Sequence, residues 1–219
     1  MTRPVFAAAA AVFLLGACAS APVEPLRATA QLQPTKGSKT FGEATFEQAG
    51  DKVHVLVNVQ GLKPGQQHGF HIHEVGDCSS GDGMSTKGHF NPFGKPHAHP
   101  GSGHAGDLPA LTAAKNGRAK LDVMLEGISL GSGPGDIVGR GLIVHADPDD
   151  YKTQPTGNAG ARIACGVIKL DLAARLRRSR ANFSSSPRRR GPIVENLGPR
   201  LKLSGATRGA RTRSLRRSP

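Results

Sequence analysis

Every second position from 53 to 59 is valine in DKVHVLVNVQG, residues 51–61. Successive side chains of a strand point to opposite faces, so this run makes one apolar face and one mixed face, as a half-buried strand does. Six more stretches extend the pattern: LRATAQL (26–32), KTFGEATFEQAG (39–50), QHGFHIHEV (67–75), AKLDVMLEG (119–127), DIVGRGLIVHA (136–146) and ARIACGVIKLDL (161–172). With 29 Gly and 16 Pro in 219 residues, and no Trp, the chain favours short strands and turns over a helical bundle. The expectation is one all-β domain, a sandwich or barrel of antiparallel strands.

Residues 76–116 break that rhythm. They are dense in Gly, Pro and His, and a long irregular loop inside a compact domain is usually functional or disordered. All nine histidines lie between 54 and 145, seven of them between 68 and 104. His71 and His73, two apart in GFHIHE, share one face of a strand and can address one ion from a stiff platform. The loop GHFNPFGKPHAHPGSGHAGD (88–107) adds His89, His97, His99, His104 and Asp107. Three histidines and a carboxylate make a closed tetrahedral zinc site. LIVHADPDD (142–150) places His145 on another strand, followed by Asp149. His54 reads as a strand-surface residue, and His68 as a strand-edge or metal-supporting one.

These motifs carry a resemblance. GFHIHEVGDC, GHFNP, HAGDLP, VHADPDDY and GNAGARIACGVI occur in the order of the copper/zinc superoxide dismutases, and the chain resembles the bacterial, exported members over residues 28–172. The resemblance implies a Greek-key β-barrel or sandwich of eight or so antiparallel strands with long metal-binding and electrostatic loops. It implies copper on His71, His73, His89 and His145, and zinc on His89, His97, His104 and Asp107, one ion of each per chain. His89 would then bridge the metals as an imidazolate, which two cations make feasible. For zinc, the step from His89 to His97 fits the family, but the spacing from His97 to His104 is shorter than its pattern and His99 competes with His97. The resemblance further makes Asp149 the carboxylate linking a copper-ligand His to a zinc-ligand His, and orienting carboxylates are a general need of metal-bound His. Arg162 would be the cation that draws in the superoxide anion. The implied reaction is conversion of superoxide to oxygen and hydrogen peroxide by copper redox cycling, with His89 and Arg162 as the catalytic side chains, in a monomer or homodimer.

The ends of the chain bear on where this would happen. Arg3 followed by VFAAAAAVFLL (5–15) reads as an export signal, too short for an ordinary transmembrane helix. LGAC (15–18) resembles the bacterial lipoprotein box, with Cys18 as the lipidated residue of a signal spanning 1–18; ordinary cleavage at ACA or ASA is the alternative. Residues 19–27 then form a Pro/Ala-rich tether, and the expected place is the periplasm, protecting the cell envelope from superoxide. Once Cys18 goes to lipid or is removed, Cys78 and Cys165 remain as an even pair, for which an exported chain predicts a disulfide. The net charge of +13 invites a nucleic-acid reading. Yet 14 of the 29 basic and one of the 16 acidic residues lie in 173–219, leaving 15 of each in the rest. That tail is Arg/Ser/Pro/Gly-rich with Phe183 as its one aromatic, which predicts disorder and no nucleic-acid partner.

Overall fold

A computed structural model describes residues 24–172. The 1–18 leader with Cys18, the first part of the 19–27 tether and the 173–219 tail lie outside the described residues. Among those described, ten strands follow one another: β1 (Arg27–Pro34), β2 (Phe41–Ala49), β3 (Lys52–Gln60), β4 (Gln67–His68), β5 (Phe70–His73), β6 (Leu111–Thr112), β7 (Ala119–Leu125), β8 (Gly141–His145), β9 (Arg162–Val167) and β10 (Lys169–Leu170). Within residues 24–171 the one helical element is a 3-10 turn, Met84–Thr86.

The valine alternation becomes β3. Val53, Val55, Val57 and Val59 are buried, whereas Leu56 and Asn58 are exposed. Each buried valine contributes about 2 kcal/mol to the hydrophobic term. β1, β2 and β3 form a meander with continuous register, from Arg27 against Glu47 through Phe41 against Gln60. One curled, eight-stranded antiparallel sheet results, in the order β5-β8-β9-β1-β2-β3-β7, with β10 also on β1. Placing the late strand β9 beside β1 gives the Greek-key order β9-β1-β2-β3. The core lies on the concave face, around Leu32, Phe46, Phe70, Ile72, Leu142 and Ile168.

Two expected strands are shorter than their sequence patterns. The 67–75 stretch divides at Gly69, where a Cβ would collide with Ala159 and crowd the His71 ring. The 136–146 stretch forms a strand from Gly141 onward, because Gly139 turns the chain at a φ of 79°. Both breaks serve the sheet edge that carries the histidines. The loop 88–108 runs along the free edge of β5, with Ile72 N–H donating to the Gly106 carbonyl at 2.9 Å and Phe90 N–H to the Ile72 carbonyl at 2.8 Å. Gly106 allows this approach, since a side chain there would strike the Ile72 carbonyl.

Candidate metal centre

Pairing of β5 with β8 sets His71 opposite Ile143 and His73 opposite Gly141, with both imidazoles buried. The loop laid on the β5 edge brings His89 opposite His73 and Asp107 opposite His71. His145 arrives by a different device. Between Val144 and His145 the register with β9 slips, so that His145 pairs with Arg162 and Ile163 is skipped. Such a bulge re-aims a side chain next to a site.

The result is two clusters sharing one residue. His71, His73, His89 and His145 form the first, and His89, His97, His104 and Asp107 the second; within each, the candidate ligand atoms lie within 4.8 Å of one another. His97 and His99, which the sequence left in competition, are far apart in setting. His97 is buried in the second cluster, while the exposed His99 stacks on the Tyr151 ring at 4.3 Å.

The hydrogen bonds sort the ring nitrogens. His73 Nδ1–H donates to the Lys87 carbonyl at 2.8 Å, and His145 Nδ1–H to the Gly160 carbonyl at 3.2 Å. Each therefore turns Nε2 inward, and these two atoms face each other at 3.4 Å. Asp149 accepts His71 Nε2–H at 2.6 Å through Oδ2 and His97 Nε2–H at 2.9 Å through Oδ1, leaving Nδ1 of both rings for the clusters. Five imidazole nitrogens are buried with no hydrogen-bond partner: His68 Nε2, outside both clusters, and His71 Nδ1, His89 Nε2, His97 Nδ1 and His104 Nδ1 within them. An unpaired buried nitrogen costs about 1–3 kcal/mol, and four converging on two points fit a pair of cations. His89 fits both, with Nε2 in one cluster and Nδ1 against Asp107 Oδ1 at 2.8 Å in the other. The donor chemistry agrees: imidazole alone suits copper, and imidazole with one carboxylate suits zinc.

Arg162 is pinned by one segment. Its Nη1 donates to the Gly83 carbonyl at 2.6 Å and to Thr86 Oγ1 at 3.0 Å, and its Nη2 to the Lys87 carbonyl at 2.6 Å. The Lys87 carbonyl thus holds the guanidinium and the His73 ring together. Lys87 adopts φ 61°, ψ −143°, a conformation that non-glycine residues rarely take and that sites retain for function. Cys78 and Cys165 are bonded, with Cα atoms 5.9 Å apart, and tie this segment to β9. The carbonyls of Lys87 and Gly160, the hydroxyl of Thr86 and the contact of His68 Nδ1 with the His145 carbonyl at 2.9 Å have no signature in residue type; sequence reasoning misses the first three and leaves His68 open. His54 sits at the surface as expected, against Asp122 at 2.7 Å.

Burial pushes the His71 and His73 imidazoles well below their usual range, and neighbouring histidines push the same way. Burial also brings His145 down to about 4, against the Gly160 carbonyl, which raises it. Asp107 resists its burial because the His89 N–H and the charges of its histidines hold it below the usual carboxylate range. His71, His73 and His145 are therefore neutral when folded and titrate near 6.5 when unfolded. The unfolded chain binds more protons below that pH, so stability is full above about 6.5 and is lost as pH falls towards 4. For metal-free, disulfide-intact protein, urea unfolding at pH 4.5 should give about 3 kcal/mol less stability than at pH 7.5 from His145 alone. Equal stability at the two pH values would contradict neutral, buried rings.

Comparison with known proteins agrees with this geometry. A family profile described as copper/zinc superoxide dismutase (SODC) matches residues 40–168. The Cu-Zn superoxide dismutase 2 of Aquifex aeolicus (strain VF5) is 40% identical over 152 residues, covering 67% of this chain and 88% of the relative. The Cu-Zn superoxide dismutase of Paramecium bursaria Chlorella virus 1 is 44% identical over 154 residues, covering 66% of this chain and 79% of the relative. A solved structure titled as the clock protein EA4 superposes with a TM-score of 0.60 at 42% identity, over 68% of this chain and 97% of that one.

Proposed function

The chain belongs to the copper/zinc superoxide dismutase family, and from that premise we propose that it converts superoxide to oxygen and hydrogen peroxide outside the cytoplasm, at the two clusters that share His89. The observation that carries the residue assignment is that four of the five unpaired, buried imidazole nitrogens lie within the two clusters. Copper is assigned to His71 Nδ1, His73 Nε2, His89 Nε2 and His145 Nε2, and zinc to His89 Nδ1, His97 Nδ1, His104 Nδ1 and the Asp107 carboxylate. When bound, copper supplies a one-electron redox couple and zinc a fixed positive charge.

The protein's own groups do the rest. Arg162, clamped by three acceptors, offers a stationary cation beside His73 that attracts a small anion and orients it. Asp149 holds the His71 and His97 tautomers in ligating form. His89 Nε2, whenever it is not serving as a ligand, can hold a proton and release it to the departing product. The Lys87 and Gly160 carbonyls fix two rings so that no reorganisation is needed between half-reactions.

The site of action is read from the ends of the chain. The apolar run at 5–15, LGAC at 15–18 and the two remaining cysteines support export, lipidation at Cys18 and protection of the cell envelope. Metal analysis of purified protein, coupled to superoxide removal, tests the assignment. The expected result is about one copper and one zinc per chain, with activity lost when copper is chelated. Zinc alone with no activity would sink it.

A further inference from the structure

The loop 147–160 meets the zinc-side loop at 97–99 through Asp149, Tyr151 and Gln154. Asp149 bonds the His97 ring, Tyr151 stacks on His99 at 26° between ring planes, and Gln154 bonds the His97 backbone. The third contact is unlike the others. His97 N–H donates to Gln154 Oε1 at 2.8 Å, and Gln154 Nε2 donates to the His97 carbonyl at 2.8 Å. One side-chain amide therefore satisfies both backbone polar groups of one residue, as a strand partner would.

The other residues of the second cluster are placed without such help. His89 follows the ladder on β5, where its neighbour Phe90 bonds Ile72. The backbone N–H of His104 donates to Asp107 Oδ2 at 2.8 Å, so those two residues position each other. His97 lies in an irregular stretch whose one tie to Asp107 through the backbone is the longer bond from Ala98 N–H to Asp107 Oδ2, at 3.3 Å, and its own N–H and carbonyl meet Gln154. Gln154, although exposed, is presented by a braced turn. Asp150 accepts Lys152 N–H at 2.9 Å, Thr153 N–H at 2.8 Å and the Thr153 hydroxyl at 2.6 Å, and Gly157 N–H donates to the Thr153 carbonyl at 2.7 Å. Gly157 closes that turn against the bridge itself, where any side chain would collide with Asp149 and His97.

We propose that Gln154 is a positioning residue for zinc: its amide latches the His97 backbone to loop 147–160, so that the ring already faces the cluster before metal arrives and stays there once metal is bound. The inference rests on the zinc assignment above. Without the latch, His97 would be held by its ring and by the 3.3 Å bond from Ala98 N–H to Asp107, and opening of the loop would withdraw a ligand.

The test is zinc release from copper- and zinc-loaded full-length protein into excess chelator. Gln154→Ala should release zinc about tenfold faster, the lower range for removing an outer support of a metal ligand. Gln154→Glu keeps the acceptor for His97 N–H but loses the donor, and should fall between. Melting of the metal-free, disulfide-intact protein should move by no more than about 8 °C, the loss of two part-buried hydrogen bonds. Release within about twofold of wild type in both variants would overturn the latch while leaving the zinc site intact, as would acceleration that merely follows a larger fall in melting temperature. Wild-type protein that holds no zinc would overturn the site and the latch together.

Discussion

Asp149→Asn should strip zinc from the protein while copper largely stays. The carboxylate accepts N–H groups from His71 and His97 and from the Tyr151 backbone, the last at 2.7 Å. An amide has one oxygen and must turn its NH₂ towards one imidazole N–H. The two rings differ in how well they withstand that. His71 is built into β5, paired to β8 on one side and to the zinc-side loop on the other. His97 sits on irregular chain and gives way. Zinc affinity is therefore expected to fall about 100-fold, the upper range for such supports, and copper affinity less than about tenfold. Competition with chelators of graded affinity measures both; equal losses of the two metals would refute the asymmetry between strand and loop.

Cys165→Ser should cost more stability than any other single change at the site. Cys78 and Cys165 are 87 residues apart, and restoring that freedom to the unfolded chain costs about 4–5 kcal/mol. Activity should fall as well, because residues 83–87, which grip Arg162, follow Cys78 directly. Unfolding in denaturant and superoxide removal by the folded fraction separate the two effects. A variant of unchanged activity per folded molecule would show that the Arg162 clamp stands without its tether.

Much of this was legible beforehand. The valine alternation announces β3, and histidines two apart on a strand announce a shared face. Between His97 and His99 the step from His89 favours His97 without excluding His99, because both lie in irregular chain where spacing alone fixes no geometry. The structure separates them by burial, and a glutamine more than fifty residues away accompanies the buried one. The bulge at His145 was hidden for a related reason: register is a relation between strands, and neither strand records it alone. Carbonyl acceptors are hidden too, since every residue has one. Lys87 would be an unpromising guess for a site residue by its side chain; its contribution is the direction of its backbone.

That direction has a consequence for thermal motion. The guanidinium of Arg162 and the imidazole of His73 hang from one oxygen atom, at 2.6 and 2.8 Å. A displacement of the Lys87 carbonyl would therefore act on cation and ring together. The spacing between the two groups that a diatomic anion would meet is set through a single backbone atom, so one peptide orientation tunes both at once.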